Sequence, residues 1–423
     1  ADDGSISVIG DPEHPSNFGR LCSKGAALGD TMDLHHRLLQ PVVNGHRTNW
    51  DNAMDYVASG FSRIIKKHGR DAVAFYVSGQ LLTEDYYVAN KLMKGFIGSG
   101  NIDTNSRLCM SSSVAGHKRA FGADSVPCSY EDLEQADLVT LVGSNTAWCH
   151  PVLYQRIRQA RVKRPNMKVV VIDPRRTATC DIADIHLALD PGSDIALFQG
   201  LLAYVAQHDA IDLDFIGHHT EGFSETLDSV QLGEDPLSAT ARRCDVPRSE
   251  LEEFYRLFLA TEKSITVYSQ GVNQWSYGTD KVNAIINCHL ATGRIGKPGM
   301  GPFSFTGQPN AMGGREVGGL ANQLAAHMDF NAEDVQRVAD FWNSPNIAST
   351  PGLKAVDMFE AIADGKIKAI WIMATNPAVS MPDADRVRDA LQQCDLVVLS
   401  DCVDNTDTAK LADVLLPATT WGE

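Results

Sequence analysis

Six short runs of nearly unbroken apolar residues, at 72–77, 138–142, 169–172, 265–268, 369–373 and 396–399, constrain this chain more than any other feature. A strand with one wetted face alternates polar and apolar residues, whereas runs such as LVTLV at 138–142 leave no face for water. Strands of that kind need cover on both sides, as in a parallel sheet with helices on each face. Helical periods follow at 83–96, 151–164, 247–260, 280–293 and 383–393, and Pro151 and Pro247 each stand where a missing N–H is harmless. The expected fold class is α/β, with doubly wound, mostly parallel sheets. A length of 423 residues exceeds one core and calls for more than one such domain.

Thirty-seven basic and 53 acidic residues leave a net charge of −16, which repels phosphate backbones and anionic lipid headgroups. Nucleic acid and membrane surfaces are therefore not expected as partners. No apolar run approaches the roughly 20 residues that span a bilayer. The nine cysteines are odd in number, scattered and without a CxxC pair, so a reducing, cytoplasmic setting is expected rather than a disulfide framework.

The loops after the apolar runs carry Ser78-Gly79-Gln80, Gly143-Ser144-Asn145, Asp173-Pro174-Arg175-Arg176, Gln270 to Gln274, Thr375-Asn376-Pro377 and Ser400-Asp401. These residue types form turns, and they are also the donors and acceptors that meet a ligand beyond the carboxyl ends of parallel strands. Six such loops together point to a large, extended ligand. No GxGxxG follows a strand, which disfavours a simple NAD site. The glycine-rich segment 293–319 reads as irregular backbone approached by a ligand. The pairs His35-His36 and His218-His219 read as surface histidines.

Three segments stand out in combination: Gly19-Arg20-Leu21-Cys22-Ser23-Lys24-Gly25, then Asn105-Ser106-Arg107-Leu108-Cys109-Met110-Ser111-Ser112-Ser113-Val114, then Thr306-Gly307-Gln308-Pro309 leading to Gly314-Arg315-Glu316-Val317-Gly318-Gly319. A cysteine among Arg and Ser before a helix is a nucleophile, a soft-metal ligand or a packed apolar residue; its sequence neighbours alone leave the three open.

In order and spacing these segments resemble the dimethyl sulfoxide reductase family of molybdopterin oxidoreductases, and within it the catalytic subunits of assimilatory nitrate reduction. The resemblance runs from about Gly19 to the last residue. It implies a bis-molybdopterin guanine dinucleotide cofactor with molybdenum and, in the complete protein, a 4Fe-4S cluster. It implies reduction of nitrate to nitrite by oxygen atom transfer, with electrons from a ferredoxin, a flavodoxin or an NADH-linked reductase subunit.

Position by position, the resemblance makes Cys109 the molybdenum ligand, Cys22 a cluster ligand and Lys24 the residue between cluster and pterin. It places Met110, Gln308 and Arg315 near the substrate, with Arg315 offering a planar fork to a planar oxyanion. It assigns cofactor binding to Lys24, Gln80, Asn105, Gly143, Ser144, Asn145, Asp173, Arg175, Arg176, Gly192, Ser193, Asp194, Gln270, Gln274, Asn376, Ser400 and Asp401. Arg107 and Arg315 are expected to supply local positive charge. The three further cluster cysteines and the closing C-terminal domain that the resemblance implies are not in the sequence, so the chain reads as a fragment lacking both ends.

Formate dehydrogenases share the implied fold, but there a histidine for proton transfer follows the metal-binding residue, and Met110 stands in that place here. A non-catalytic relative with a structural or electron-transfer role is the other alternative, and the intact NSRLCMSS segment speaks against it. The expected organisation is a cluster-domain remnant at 1–45, a split α/β domain at 46–104 and 300–423, and a continuous α/β domain at 105–299, with the cofactor in the crevice between domains.

Overall fold

The computed structural model describes residues 6–230 and 235–420; the expected domain ends at 1–5 and 421–423 lie outside the described residues. The described strands, in chain order, are β1 (Val42–Val43), β2 (His46–Arg47), β3 (Val73–Val77), β4 (Ile102–Thr104), β5 (Leu138–Val142), β6 (Lys168–Ile172), β7 (Ile185–Leu187), β8 (Ser264–Tyr268), β9 (Gly301–Ser304), β10 (Ala369–Met373), β11 (Leu396–Asp401) and β12 (Val414–Pro417). The six expected runs are all among them. The short strands β4 (IDT) and β7 (IHL) escape sequence reading because each places a polar residue at its centre.

The chain divides into two compact units. Of the described residues, the first holds those up to Val8, Ala27–Leu108 and those from Gln308 on; the second holds Ile9–Ala26 and Cys109–Gly307. The boundaries thus fall at Leu108/Cys109 and Gly307/Gln308, some residues after the expected 104/105 and 299/300. The expected 1–45 piece is shared between the two units, for a physical reason. The buried Arg156 guanidinium donates to the carbonyls of Pro15 (2.9 Å) and Ser16 (3.1 Å) and lies 5.1 Å from the Phe18 ring centre, tying 9–26 to the second unit. Further on, Leu38 N donates to Cys402 O at 2.9 Å within the first unit.

The first unit carries a seven-stranded sheet in the order β2-β1-β12-β11-β10-β3-β4, with β1 antiparallel to both neighbours and the rest parallel. Alternate residues of one strand serve opposite faces. Val73, Phe75 and Val77 pack with Val57, Phe61 and Ile64 of the helix Trp50–His68. Ala74 and Tyr76 pack with residues of the helices Ala355–Ala363 and Ala384–Gln393. Both faces are dry, which is why the runs are unbroken. The helix Trp50–His68 is absent from the sequence expectation, although Ala53, Val57, Phe61 and Ile64 recur at helical spacing; Asn49 caps it by accepting from Asn52 N at 2.8 Å.

In the second unit a five-stranded sheet, β7-β6-β5-β8-β9, is parallel throughout. Leu138, Val142, Val170 and Ile172 face helices including Asp194–Gln207 and Gly278–Ala291. Val139, Leu141, Val169 and Val171 face the helix Pro151–Lys163.

In each sheet the strand order reverses about one strand. Loops that diverge at such a point leave an opening beyond the carboxyl ends, where ligands bind. In the second unit this opening lies after β5 and β8, and in the first after β3 and β10. The glycine-rich segment departs from the irregular backbone expected of it: it contains β9 and the short helix Ala311–Glu316. Its glycines include Gly301 at the start of β9 (φ +134), and the edge position of β9 tolerates the Pro302 that follows. Among the described residues no helix is long and apolar enough to cross a membrane.

Candidate functional site

In the second unit the site is built around Cys109. The helix Ser106–Phe121 is broken in its second turn, where Met110 has φ −149 and ψ 27, and Cys109 just before the break is held by side chains that follow β8. Gln270 Nε2 donates to Cys109 Sγ at 3.3 Å. Asn273 Nδ2 and Gln274 Nε2 both donate to the Cys109 carbonyl, at 2.7 and 3.1 Å. Cys109 is partly exposed, whereas Cys128, Cys244 and Cys288 sit where burial pushes the thiol up, Cys244 to about 11. Burial opposes thiolate formation at those three. The Cys109 sulfur can serve as a soft-metal ligand or a nucleophile. Met110, beside it, is buried.

The loops of this unit are built for close backbone approach. Gly143 (φ +52) and Gly271 face each other across the strand-order reversal, with Gly271 N donating to Gly143 O at 3.0 Å. A Cβ on Gly271 would lie 2.6 Å from Gly143 Cα, so no other residue fits without moving backbone. Ser144 Oγ bonds Thr146 Oγ1 at 2.9 Å, and Asn145 Oδ1 accepts from Thr179 Oγ1 at 3.1 Å. Asp173 folds its loop by accepting from Arg175 N at 2.9 Å, which leaves Arg175 and Arg176 exposed as two adjacent cations. Gly192, Ser193 and Asp194 lie at the start of the helix Asp194–Gln207. Gln270 and Gln274, expected to hold cofactor tails, bond Cys109 in this structure.

The segment carrying Cys22 and Lys24 also belongs to this unit. Lys24 is exposed on the one-turn helix Ser23–Ala26. Near it, His150 Nε2 bonds Thr306 O at 2.5 Å; burial holds the His150 pKa down, the Thr306 bond opposes that, and the Lys24 charge adds to the lowering. Cys22 is a free, partly exposed cysteine. Among the described residues no group of three or more His, Cys, Asp or Glu could hold a metal, and the exposed pairs His35-His36 and His218-His219 are no exception.

In the first unit Asn105 gathers the opening after β3 and β10. Its Oδ1 accepts from Gly79 N at 2.9 Å, and its Nδ2 lies 3.4 Å from Ser78 Oγ, Gln80 Oε1 and Thr375 Oγ1. Gln308 reaches the same place, with Nε2 3.5 Å from Asn105 Oδ1 and its Oε1 buried without a partner. A Cβ on Gly79 would stand 2.6 Å from the Gln308 Cβ. Asn376 Oδ1 accepts from Thr408 N (3.0 Å) and Thr408 Oγ1 (2.7 Å). Ser400 Oγ accepts from Trp371 Nε1 at 2.9 Å, and Asp401 Oδ1 accepts from Cys402 N at 2.7 Å. Arg315 is buried, 3% exposed, at the end of the helix Ala311–Glu316.

Arg107, expected to lend positive charge, is instead neutralised. Its Nε and Nη2 each donate at 3.0 Å to the fully buried Asp103 carboxylate, which also accepts from Ala321 N and Ala355 N.

Lys94 is a further residue the sequence did not single out. It is fully buried and its ammonium donates to the carbonyls of Gly318 (2.6 Å), Leu320 (3.0 Å) and Gln323 (2.5 Å), pinning the backbone just after Arg315. Burial brings its pKa from the ordinary 10.5 down to about 7. Between those two values the folded chain binds fewer protons than the unfolded chain, so this site's contribution to stability rises with pH across that window. Urea midpoints measured at pH 7.5 and 9.5 are expected to rise more in the wild type than in Lys94→Met; equal slopes would refute the assignment.

Residues 37–423 match the molybdopterin oxidoreductase family and residues 1–34 match the molybdopterin oxidoreductase Fe4S4 domain. Nitrate reductase from Klebsiella oxytoca is 58% identical over 99% of this chain and 48% of its own length. Nitrate reductase from Shewanella frigidimarina is 53% identical over 100% of this chain and 45% of its own length. The chain therefore spans about half the length of these relatives. Among solved structures, acetylene hydratase from Pelobacter acetylenicus superposes with a TM-score of 0.73 at 21% identity, covering 97% of this chain and 59% of that one. At that identity the likeness speaks to the fold alone.

Proposed function

We propose that this chain, which belongs to the molybdopterin oxidoreductase family, is the cofactor-holding part of a molybdenum enzyme that reduces nitrate to nitrite. The observation that carries the proposal is the Cys109 sulfur, partly exposed and hydrogen-bonded by Gln270 rather than sunk in hydrocarbon. That setting suits a thiolate ligand to a soft metal. Met110 in the next position offers a thioether, which neither holds nor donates a proton, so nitrate reduction is favoured over formate oxidation.

The residues present fit a pterin–molybdenum group. Cys109 would ligate the metal, and Gln270 would hold the sulfur's charge. In the dinucleotide form proposed for the cofactor, its phosphates would meet main-chain N–H groups near Gly143 and the cations Arg175 and Arg176. Lys24, Gln80, Asn105, Ser144, Asn145, Asp173, Gly192, Ser193, Asp194, Gln270, Gln274, Asn376, Ser400 and Asp401 complete the proposed binding set. When bound, the cofactor supplies the two-electron oxygen-atom transfer. Arg315 binds and orients nitrate through its planar fork, and Gln308 supplies an amide. Electrons come from a partner, a ferredoxin, flavodoxin or NADH-linked reductase subunit, in the cytoplasm.

The 4Fe-4S cluster is a different case. Within the matched 1–34 the sole cysteine is Cys22, and such a cluster takes four thiolates. The residues present do not fit the whole cluster, and Cys22 is proposed only as one of its ligands.

The test is molybdenum content together with viologen-linked turnover of nitrate and of formate by the full-length protein. Molybdenum with nitrate turnover is expected; turnover of formate alone would reject the proposal. Arg315→Lys is expected to raise the KM for nitrate roughly tenfold, the scale of one lost charge-assisted hydrogen bond, with molybdenum content unchanged. Collapse of metal loading in that variant would make Arg315 a cofactor-holding residue instead.

A further inference from the structure

We propose that Lys281 is a positioning residue for the nucleotide end of the cofactor, setting the Asp194 carboxylate and the Trp275 ring as the two surfaces that receive its purine base. This rests on the dinucleotide form of the cofactor proposed above.

All the groups concerned lie in the second unit. Lys281, on the helix Gly278–Ala291, is 1% exposed. Its Nζ lies 2.5 Å from Asp194 Oδ2, 4.0 Å from the Trp275 ring centre and 5.4 Å from that of Tyr277. A buried ion pair is not retained for stability alone, because an apolar residue of similar volume packs as well or better. The ammonium here does something a methionine would not: it binds the carboxylate at the head of one helix and the face of an indole at once.

The two rings are placed to be used. Trp275 and Tyr277 each remain 39% exposed, although the ammonium covers part of both. The loop ahead of Asp194 runs directly against them, since a Cβ on Gly192 (φ +95) would lie 3.0 Å from Trp275 Cη2 and 3.1 Å from the Tyr277 hydroxyl. That hydroxyl donates to Gly192 O at 3.5 Å. A flat aromatic surface beside a fixed carboxylate matches guanine, which stacks through its face and donates two N–H groups from one edge. Adenine presents a ring-nitrogen lone pair on that edge and is repelled.

The experiment measures GMP released by acid hydrolysis, per polypeptide chain, from the complete holoenzyme after gel filtration. Lys281→Met and Trp275→Leu are each expected to lower retained GMP roughly tenfold, as loss of one stacking or charge-assisted contact does. Lys281→Arg, which keeps the cation, is expected to stay within about twofold of wild type. Because Trp275 is partly exposed, its variant decides the matter even if Lys281→Met fails to fold. Wild-type GMP retention in Trp275→Leu, or in a folded Lys281→Met, overturns the proposal. Absence of GMP from the wild-type holoenzyme is a separate result: it overturns the dinucleotide form itself, and this proposal with it.

Discussion

Cys109→Ala in the full-length holoenzyme is expected to lower nitrate reduction by about 10³-fold or more, equivalent to roughly 4 kcal/mol of barrier. The sulfur has no neighbour able to replace it: Met110 is buried beside a non-helical bond, and Gln270 offers a donor rather than a ligand. The fold itself should be nearly indifferent, because Cys109 is only partly buried and its carbonyl keeps the Asn273 and Gln274 bonds whatever the side chain. The molybdenum spin-resonance signal should change with the loss of activity while thermal unfolding stays within about 2 °C, as for substitutions outside the core. Activity retained at more than about a tenth of wild type would remove Cys109 from the metal. Gln270→Leu serves as the graded control. Removing the N–H that faces sulfur is expected to cost about tenfold, the scale of losing a partner to a metal ligand.

Asp103→Ala acts on stability rather than chemistry. One substitution leaves the Arg107 guanidinium with Asn322 Oδ1 (2.6 Å) as its remaining acceptor but no compensating charge, and leaves the amides of Ala321 and Ala355 unpaired in a dry interior. Breaking a buried pair from one side costs about 3–5 kcal/mol, and unfolding of the first unit is expected to move down by about 10 °C. Calorimetry on the full-length protein checks it. Asp103→Asn should cost less, since the amide oxygen still accepts. A loss within about 1 kcal/mol in Asp103→Ala, the ordinary cost of a surface change, would mean that Arg107 and the two amides find other partners. The consequence for the site is indirect: Arg107 sits two residues before Cys109, and Asp103 is what keeps that stretch of helix in place.

Much of the fold was legible because burial on both sides writes itself into sequence. The runs at 138–142 and 369–373 coincide with β5 and β10 to the residue, since a strand covered on both faces is apolar at nearly every position, Thr140 being the exception. Where burial is partial the signal fades. The pair β1–β2 is two residues long on each side, and β4 carries Asp103 in its middle, an arrangement that makes sense only once Arg107 and two distant amides are seen around it. The helix Trp50–His68 carries its signal only in the spacing of Ala53, Val57, Phe61 and Ile64, because its polar face dominates the composition.

The candidate site divides in the same way. Segment chemistry marked out Cys109, Asn105, Gln308 and Arg315 by type and order. It did not show that Asp103, four residues away, neutralises Arg107, nor that Gln270 and Gln274 bond Cys109, more than 150 positions away in the chain.

Composition and local pattern determined the α/β class, the parallel sheets and the loops that carry donors and acceptors, because hydrophobic burial and turn geometry act over a few residues at a time. Tertiary structure alone decided which distant groups receive a buried cationic side chain, as with Asp194 for Lys281 and the carbonyls of Gly318, Leu320 and Gln323 for Lys94. The physical reason is that a buried charge is tolerable only through partners, and the chain brings those partners together from far apart when it folds.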